Sequence, residues 1–307
     1  MSVICIGDIR ADISAHRREG RTIVQTDVGG TGANVALLIA KYGLPVTMLG
    51  TVSSGPDGRF LLGQLQDNGV DTSRIRITEN GCFNTLLVTE DGREFLSHPW
   101  VIPGVRYDQI GDIGFDLADP EPGDIVHTTG TFIENDPAGS RALIEFLCRS
   151  KKNGAVISFD INARDLFFGR SEARLDVLRR CADLADLLTG SKEEFALLWE
   201  EDARTCLRHR FSGKFLTVIR NEAEPILFRC GDEVLEIPVD PVRVRNPMGA
   251  GDAFDAALLY AFSAGEAPRT CVCFASRAAG WSISQETARQ VPPRRDIERL
   301  LEEGRNN

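Results

Sequence analysis

The chain has 307 residues, 42% of them hydrophobic, and a formal net charge of −10. That length and apolar content suffice for one to two domains with a sizeable core, while the acidic balance argues against nucleic acid or an anionic membrane surface as the main partner. Eight cysteines are scattered singly apart from Cys271 and Cys273. They form no CxxC pair and no metal-ligand spacing, so reduced thiols and a cytoplasmic location are expected. No signal peptide is read at the N-terminus, and no apolar run reaches the roughly 18 residues of a membrane span.

In chain order, Val3–Ile6 reads as a first buried strand that runs into Gly7, Asp8 and then Asp12. Residues 22–25 are a short strand between polar stretches. A glycine turn at 29–32 opens a helix expected over 34–42, with Val35, Leu38, Ile39 and Tyr42 on one face and Gly43 where a C-terminal cap belongs. Further buried strands are expected at 46–49, 125–127, 156–159, 187–189 and 215–219. Helical patterns fall at 59–68, 139–150, 173–182, 193–200, 250–262 and 269–283. Alternation of this kind favours a mainly parallel sheet with helices on both faces. Residues 82–89 and 93–97 flank Glu90-Asp91-Gly92, a hairpin signal, and 226–230 with 234–239 flank Gly231-Asp232 as a second hairpin at the sheet's edge.

Two glycine turns carry the chemistry. In Asn246-Pro247-Met248-Gly249-Ala250-Gly251-Asp252 the N–H groups of Gly249, Ala250 and Gly251 can converge, because two of the three residues bear no Cβ. At a helix mouth those donors add to the positive end of the dipole and make an anion cradle. Asp252 is out of place there as a cap, since its charge repels a bound anion. It fits a base that takes a proton from a nucleophile attacking that anion, and phosphoryl transfer to a hydroxyl needs both parts together. The plainer reading is an acidic residue that complements the helix dipole. The earlier turn is not a dinucleotide fingerprint. Read as G-x-G-x-x-G from Gly30, its last position is Val35, and Asp27-Val28 is not a long buried strand. No G-x-x-x-x-G-K-[ST] loop occurs either. What remains is a turn that lets a small polar ligand reach backbone, with Asn34 offering donor and acceptor or simply capping the helix.

Gly-Gly-x-Gly-x-Asn-x-Ala at 29–36 and Gly-Ala-Gly-Asp at 249–252 resemble the two signatures of the ribokinase-like (PfkB) carbohydrate kinases. Asp160-Ile161-Asn162-Ala163-Arg164 resembles that family's Asp-Pro-Asn-x-Arg, and Ser191-Lys192-Glu193-Glu194 stands at its Asn-x-x-Glu. The resemblance spans essentially the whole chain. It implies a single α/β ribokinase-like domain over 1–307, with a small β lid from segments about 9–28 and 82–105. In the family such lids often pair two subunits, hence an expected homodimer. It implies an ATP-dependent kinase acting on a primary hydroxyl of a small sugar or sugar acid. Asp252 is then the base, with Gly249, Ala250 and Gly251 as the anion hole. Asp12, Gly30, Asn34 and Arg164 form the acceptor site. Ser191, Arg220, Glu222 and Asn246 lie on the nucleotide side, and Glu194 acts on a magnesium shell through water.

The departures fall on the nucleotide side. Asn246 replaces a leading Asp that in relatives helps hold a monovalent cation, which puts potassium activation in doubt. Arg220-Asn221-Glu222-Ala223-Glu224-Pro225 stands where the family has Thr-x-Gly-x-x-Gly and lacks both glycines. Gly55 stands at an expected Asp, and Thr287-Ala288 at a Gly-Ala pair. Two alternatives stay open. A nucleoside kinase of the same fold would need a slot for a base, which Phe83, Phe95, Trp100 and Tyr107 could line. A catalytically weak sugar-binding homologue would fit the lost glycines and Asn246; the intact Asp252 and Gly-Ala-Gly turn speak against it.

Overall fold

A computed structural model describes residues 1–18, 21–79, 81–82, 85–89, 92–95, 106–107, 113–133, 137–163, 171–287 and 289–305. Among them, six strands run parallel in the spatial order Val46–Leu49, Val3–Ile6, Ile125–Thr129, Val156–Asp160, Leu187–Ser191 and Leu216–Arg220. The hairpin Ile226–Cys230 and Glu233–Ile237 extends this sheet antiparallel at one edge. The parallel strands are short and almost wholly buried because both faces are covered. Val3 and Cys5 pack with the helices Thr31–Lys41, Ala250–Ser263, Pro268–Ile283 and Arg294–Arg305 on one face. Ile4 and Ile6 pack with Pro137–Lys152, Glu172–Leu184, Lys192–Trp199 and Ala203–His209 on the other.

Strand periodicity therefore predicted the sheet closely, and the expected helices appear within a few residues of their predicted bounds. The short helix Ala203–His209 and the terminal helix Arg294–Arg305 were not anticipated. The first is set off by Asp202, whose carboxylate accepts from the N–H groups of Arg204 and Thr205. The second is charged on most positions and buries only a narrow stripe of Ile297, Leu300, Leu301 and Gly304.

A second sheet joins Arg21–Gly29, Arg10–Arg18, Thr85–Thr89 and Gly92–Phe95. Arg10–Arg18 pairs antiparallel with Arg21–Gly29 and parallel with Thr85–Thr89. Its Ala11, Ile13 and Ala15 alternate with polar residues over only five positions, a short and weak strand signal; pairing on both sides holds it extended. The expected short strand at 22–25 is thus nine residues long and reaches Gly29. It is exposed over residues 21–26, so the glycine turn still lacks the buried strand of a dinucleotide site.

Candidate active site

Four adjacent parallel strands end in polar residues, Thr129, Asp160, Ser191 and Arg220, at the carboxyl edge, where open α/β sheets bind ligands. Asp160, Ser191 and Arg220 are the last residues of three adjacent strands. They line a cleft of about 480 Å³ together with Asp12, Asn34 and the Gly249–Asp252 turn. Glu194 and Glu222 line it too. Residues scattered from position 12 to position 252 thus meet at one place.

Gly249 takes φ 74° and is the N-cap of the helix Ala250–Ser263, a left-handed conformation that glycine adopts without a Cβ penalty. The first helical N–H groups, including those of Ala250 and Gly251, have no acceptor within the helix, and both residues face the cleft. Asp252 is buried in the first turn of this helix. It accepts a hydrogen bond from Asn34 Nδ2 at 2.7 Å. Asn34 is therefore no cap. The cap of its helix is Gly30, and the backbone N–H of Asn34 already donates to the Gly30 carbonyl.

The glycines of the early turn make room for the protein's own Asp12 carboxylate and Asp8 backbone. A Cβ on Gly29 would come within 2.2 Å of the Asp12 carboxyl group, and one on Gly30 within 2.2 Å of the Asp8 carbonyl oxygen. Gly30, expected in the acceptor site, has φ 97° and is not among the residues lining the cleft; it shapes the turn. Asp8 accepts from the N–H and hydroxyl of Thr31. Arg10 bridges Asp8 at 2.9 Å and Asp12 at 3.4 Å, and Arg289 donates to both Asp12 and Asn34. The alternating Asp8-x-Arg10-x-Asp12 pattern was a readable signal for Arg10. Arg289 had none, being 255 positions from the amide it contacts.

The nucleotide-side expectations divide. Arg220 turns into the cleft. Its Nη2 donates to Asp160 at 2.5 Å, its Nη1 to the Gly251 carbonyl at 3.2 Å, and its guanidinium lies 5.4 Å from the Phe254 ring centre. Burial opposes the charge on Arg220, but Asp160, Asp255, Glu194 and Asp252 hold its pKa above the usual range. Burial pushes Asp160 up to about 7 against the opposing effect of Arg220, with Asp255 adding to the rise. Glu222 keeps the left-handed backbone, φ 46°, where the family pattern has its first glycine. Ser191 and Glu194 form a reciprocal capping box at the start of the helix Lys192–Trp199. Glu194 accepts one backbone hydrogen bond on each oxygen, from Ser191 and Ala163. Its pKa is raised by burial and by Asp160.

Asn246, also expected at the nucleotide, does not line the cleft. Its Oδ1 accepts from the Met248 N–H and its Nδ2 donates to the Glu286 carbonyl, so it closes the turn that presents Gly249. Arg164 lies outside the described residues, as do Phe83 and Trp100. Phe95 and Tyr107 fall on the strands Gly92–Phe95 and Arg106–Tyr107.

The family model for pfkB family carbohydrate kinases matches residues 2–295. A 5-dehydro-2-deoxygluconokinase of Geobacillus thermodenitrificans is 24% identical over 98% of this chain and 93% of its own. A putative sugar kinase of Pyrococcus horikoshii is 29% identical over 75% of this chain and 72% of its own. Among solved structures, fructokinase from Vibrio cholerae with bound fructose, ADP and calcium superposes with a TM-score of 0.81 at 22% identity, covering 98% of both chains. Aminoimidazole riboside kinase from Salmonella enterica, with aminoimidazole riboside and an ATP analogue, gives 0.80 at 22% identity, covering 98% of this chain and 100% of its own. With a match across nearly its whole length, the chain belongs to the pfkB family of carbohydrate kinases.

Proposed function

We propose that the protein transfers the terminal phosphate of ATP to a primary hydroxyl of a small sugar or sugar acid, with Asp252 as the base. The observation that carries this reading is Asp252 itself, a buried carboxylate at a helix mouth, held by Asn34 beside the Gly249–Gly251 turn. Asp12 and Asn34 bind acceptor hydroxyls and present one oxygen near Asp252. Asp252 takes the proton as that oxygen forms its bond to the terminal phosphorus. The bond from phosphorus to the bridging oxygen breaks and ADP leaves. The turn's N–H groups and Arg220 meet the charge spread over the transferred group. Arg220 and Glu222 border the nucleotide, and Ser191 shapes its phosphate end.

The residues fit a magnesium ion bound through water. Asp160 and Glu194 line one cleft, and burial disfavours the charge on both beyond what Arg220 offsets, so an added cation would stabilise their ionised forms. Among the described residues no set of three ligating side chains forms a cage. Mg²⁺ in phosphoryl-transfer sites typically relies on one or two carboxylates, waters and substrate phosphates. When bound, the ion supplies positive charge to the triphosphate. We place a homodimer contact on the small sheet, supported by the exposed apolar side chains of Ile23 and Val24. A cytoplasmic location is in keeping with the observation that no described helix is long and apolar enough to cross a membrane.

The test is a phosphorylation screen of sugars, sugar acids and nucleosides with ATP and GTP, run with Asp252→Asn in parallel. The wild type should phosphorylate a sugar or sugar acid. The variant should bind that acceptor within a few-fold and lose at least ~10² in rate. Turnover of nucleosides alone would select the nucleoside-kinase reading, and a variant keeping more than about a tenth of the rate would remove Asp252 as base.

A further inference from the structure

Arg289 reaches the acceptor end of the cleft from the loop that follows the helix Pro268–Ile283. Its backbone sits in the left-handed region, φ 60°, which a side-chain-bearing residue keeps only when its surroundings dictate it. Lys41, in the last turn of the helix Thr31–Lys41, donates to the Arg289 carbonyl at 2.6 Å. The side chain is about one-tenth exposed and is spent on two partners: Nε donates to Asn34 Oδ1 at 2.5 Å, and Nη2 donates to Asp12 Oδ2.

An asparagine amide has one accepting and one donating end, and neighbours decide which way it faces. Here Oδ1 receives the Arg289 N–H, and Nδ2 donates to the Asp252 carboxylate at 2.7 Å. The flipped amide would set its NH₂ against the guanidinium and its oxygen against the carboxylate, and both contacts are repulsive. Asp12 has a second guanidinium, Arg10, at 3.4 Å, so loss of Arg289 does not strip Asp12 of positive charge. The amide of Asn34 is the partner that depends on Arg289.

We infer that Arg289 is a positioning residue that locks the Asn34 amide in one orientation and thereby aims the Asp252 carboxylate at the acceptor. The inference rests on the reading of Asp252 as base. It assigns to a C-terminal loop a part in proton transfer without any contact to the reacting atoms.

The test is a double-mutant cycle with the acceptor identified by the screen. Arg289→Ala should lower kcat by about tenfold, within the range measured for residues in one hydrogen-bond network. In an Asn34→Ala background the same change should alter kcat by less than about twofold, because the amide to be oriented is gone. Arg289→Lys can keep an ion pair with Asp12 but cannot place the Nε donor. It should lower kcat while leaving acceptor KM within about twofold. If Arg289→Ala does not fold, the cycle is run with Arg289→Lys. Equal losses in both backgrounds, or a lysine variant with wild-type kcat, overturn the inference. A readout independent of turnover is the ¹⁵N NMR signal of the Asn34 side-chain amide, identified by its disappearance in Asn34→Ala. That signal should shift in Arg289→Lys, in the presence or absence of the Asp252→Asn change, and an unmoved signal overturns the inference. An active Asp252→Asn variant overturns the base assignment instead, so the two failures are distinguishable.

Discussion

Replacing Arg220 by Thr, the residue that opens the family's loop pattern, isolates the most charged part of the cleft. Arg220 donates to Asp160 at 2.5 Å and stands 3.7 Å from Asp255 Oδ2, and both carboxylates are buried. Breaking a buried ion pair by removing one partner costs about 3–5 kcal/mol. Part of that cost is relieved when a carboxylate takes up a proton, so the loss must depend on pH. In the wild type, burial holds the folded-state pKa of Asp160 at about 7, against 3.8 for the free group. Between those values the folded state binds more protons than the unfolded state. Stability therefore falls as pH rises through that window, by up to ~1.4 kcal/mol per unit, and the fall ends near pH 7. Without Arg220 only the Thr189 hydroxyl, which donates to Asp160 at 3.2 Å, opposes its desolvation, so its pKa rises further and the decline continues above pH 7. The buried His127, with its pKa lowered to about 3 by burial and then by Arg220, has the opposite slope only below the usual histidine range. Comparison at pH 7 and 8 avoids it. Urea unfolding of both proteins should show a destabilisation that grows by about 1 kcal/mol from pH 7 to pH 8. A destabilisation equal at both values, or none, would refute the claim that Arg220 compensates Asp160.

Asn34→Ala should raise acceptor KM by about one to two orders of magnitude, since losing hydrogen bonds in a closed site costs about 1–3 kcal/mol. Because Asn34 also holds Asp252, kcat should fall with it; steady-state kinetics showing neither change would remove Asn34 from the site. Glu222→Gly should stabilise the protein by up to about 1 kcal/mol, because glycine removes the left-handed penalty at φ 46° and gives back part of the gain as chain entropy. Denaturant midpoints at constant m-value check this. Potassium over sodium should activate the wild type little. Asn246→Asp should restore some response, since it adds a full charge while keeping the acceptor that holds the Met248 N–H. Strong potassium activation of the unmodified chain would show that the amide is neutral for cation binding.

The parallel sheet and its flanking helices were legible in the amino-acid order because they depend on local periodicity. Val3–Ile6 is apolar on both faces, and Ala250–Ser263 repeats small and apolar residues at helical spacing. The Gly249-Ala250-Gly251-Asp252 turn was legible for a similar reason, since its chemistry lies within four consecutive residues. Other features were decided only when the chain closed on itself. Arg10–Arg18 carries only the short alternation Ala11, Ile13, Ala15 and is held extended because Arg21–Gly29 and Thr85–Thr89 pair with it from either side. Asn34, equally suited to capping a helix or binding a ligand, is committed by Asp252 and Arg289, which lie 218 and 255 positions away. Asn246 moved from the nucleotide to the turn because the Glu286 carbonyl and Met248 N–H satisfy its amide. The pKa shifts of Asp160 and Arg220 follow from burial set against the charges packed around them, which no linear pattern encodes. Local sequence determined which segments are helices and strands and where an anion cradle opens; long-range packing alone determined which charged side chains face one another across it.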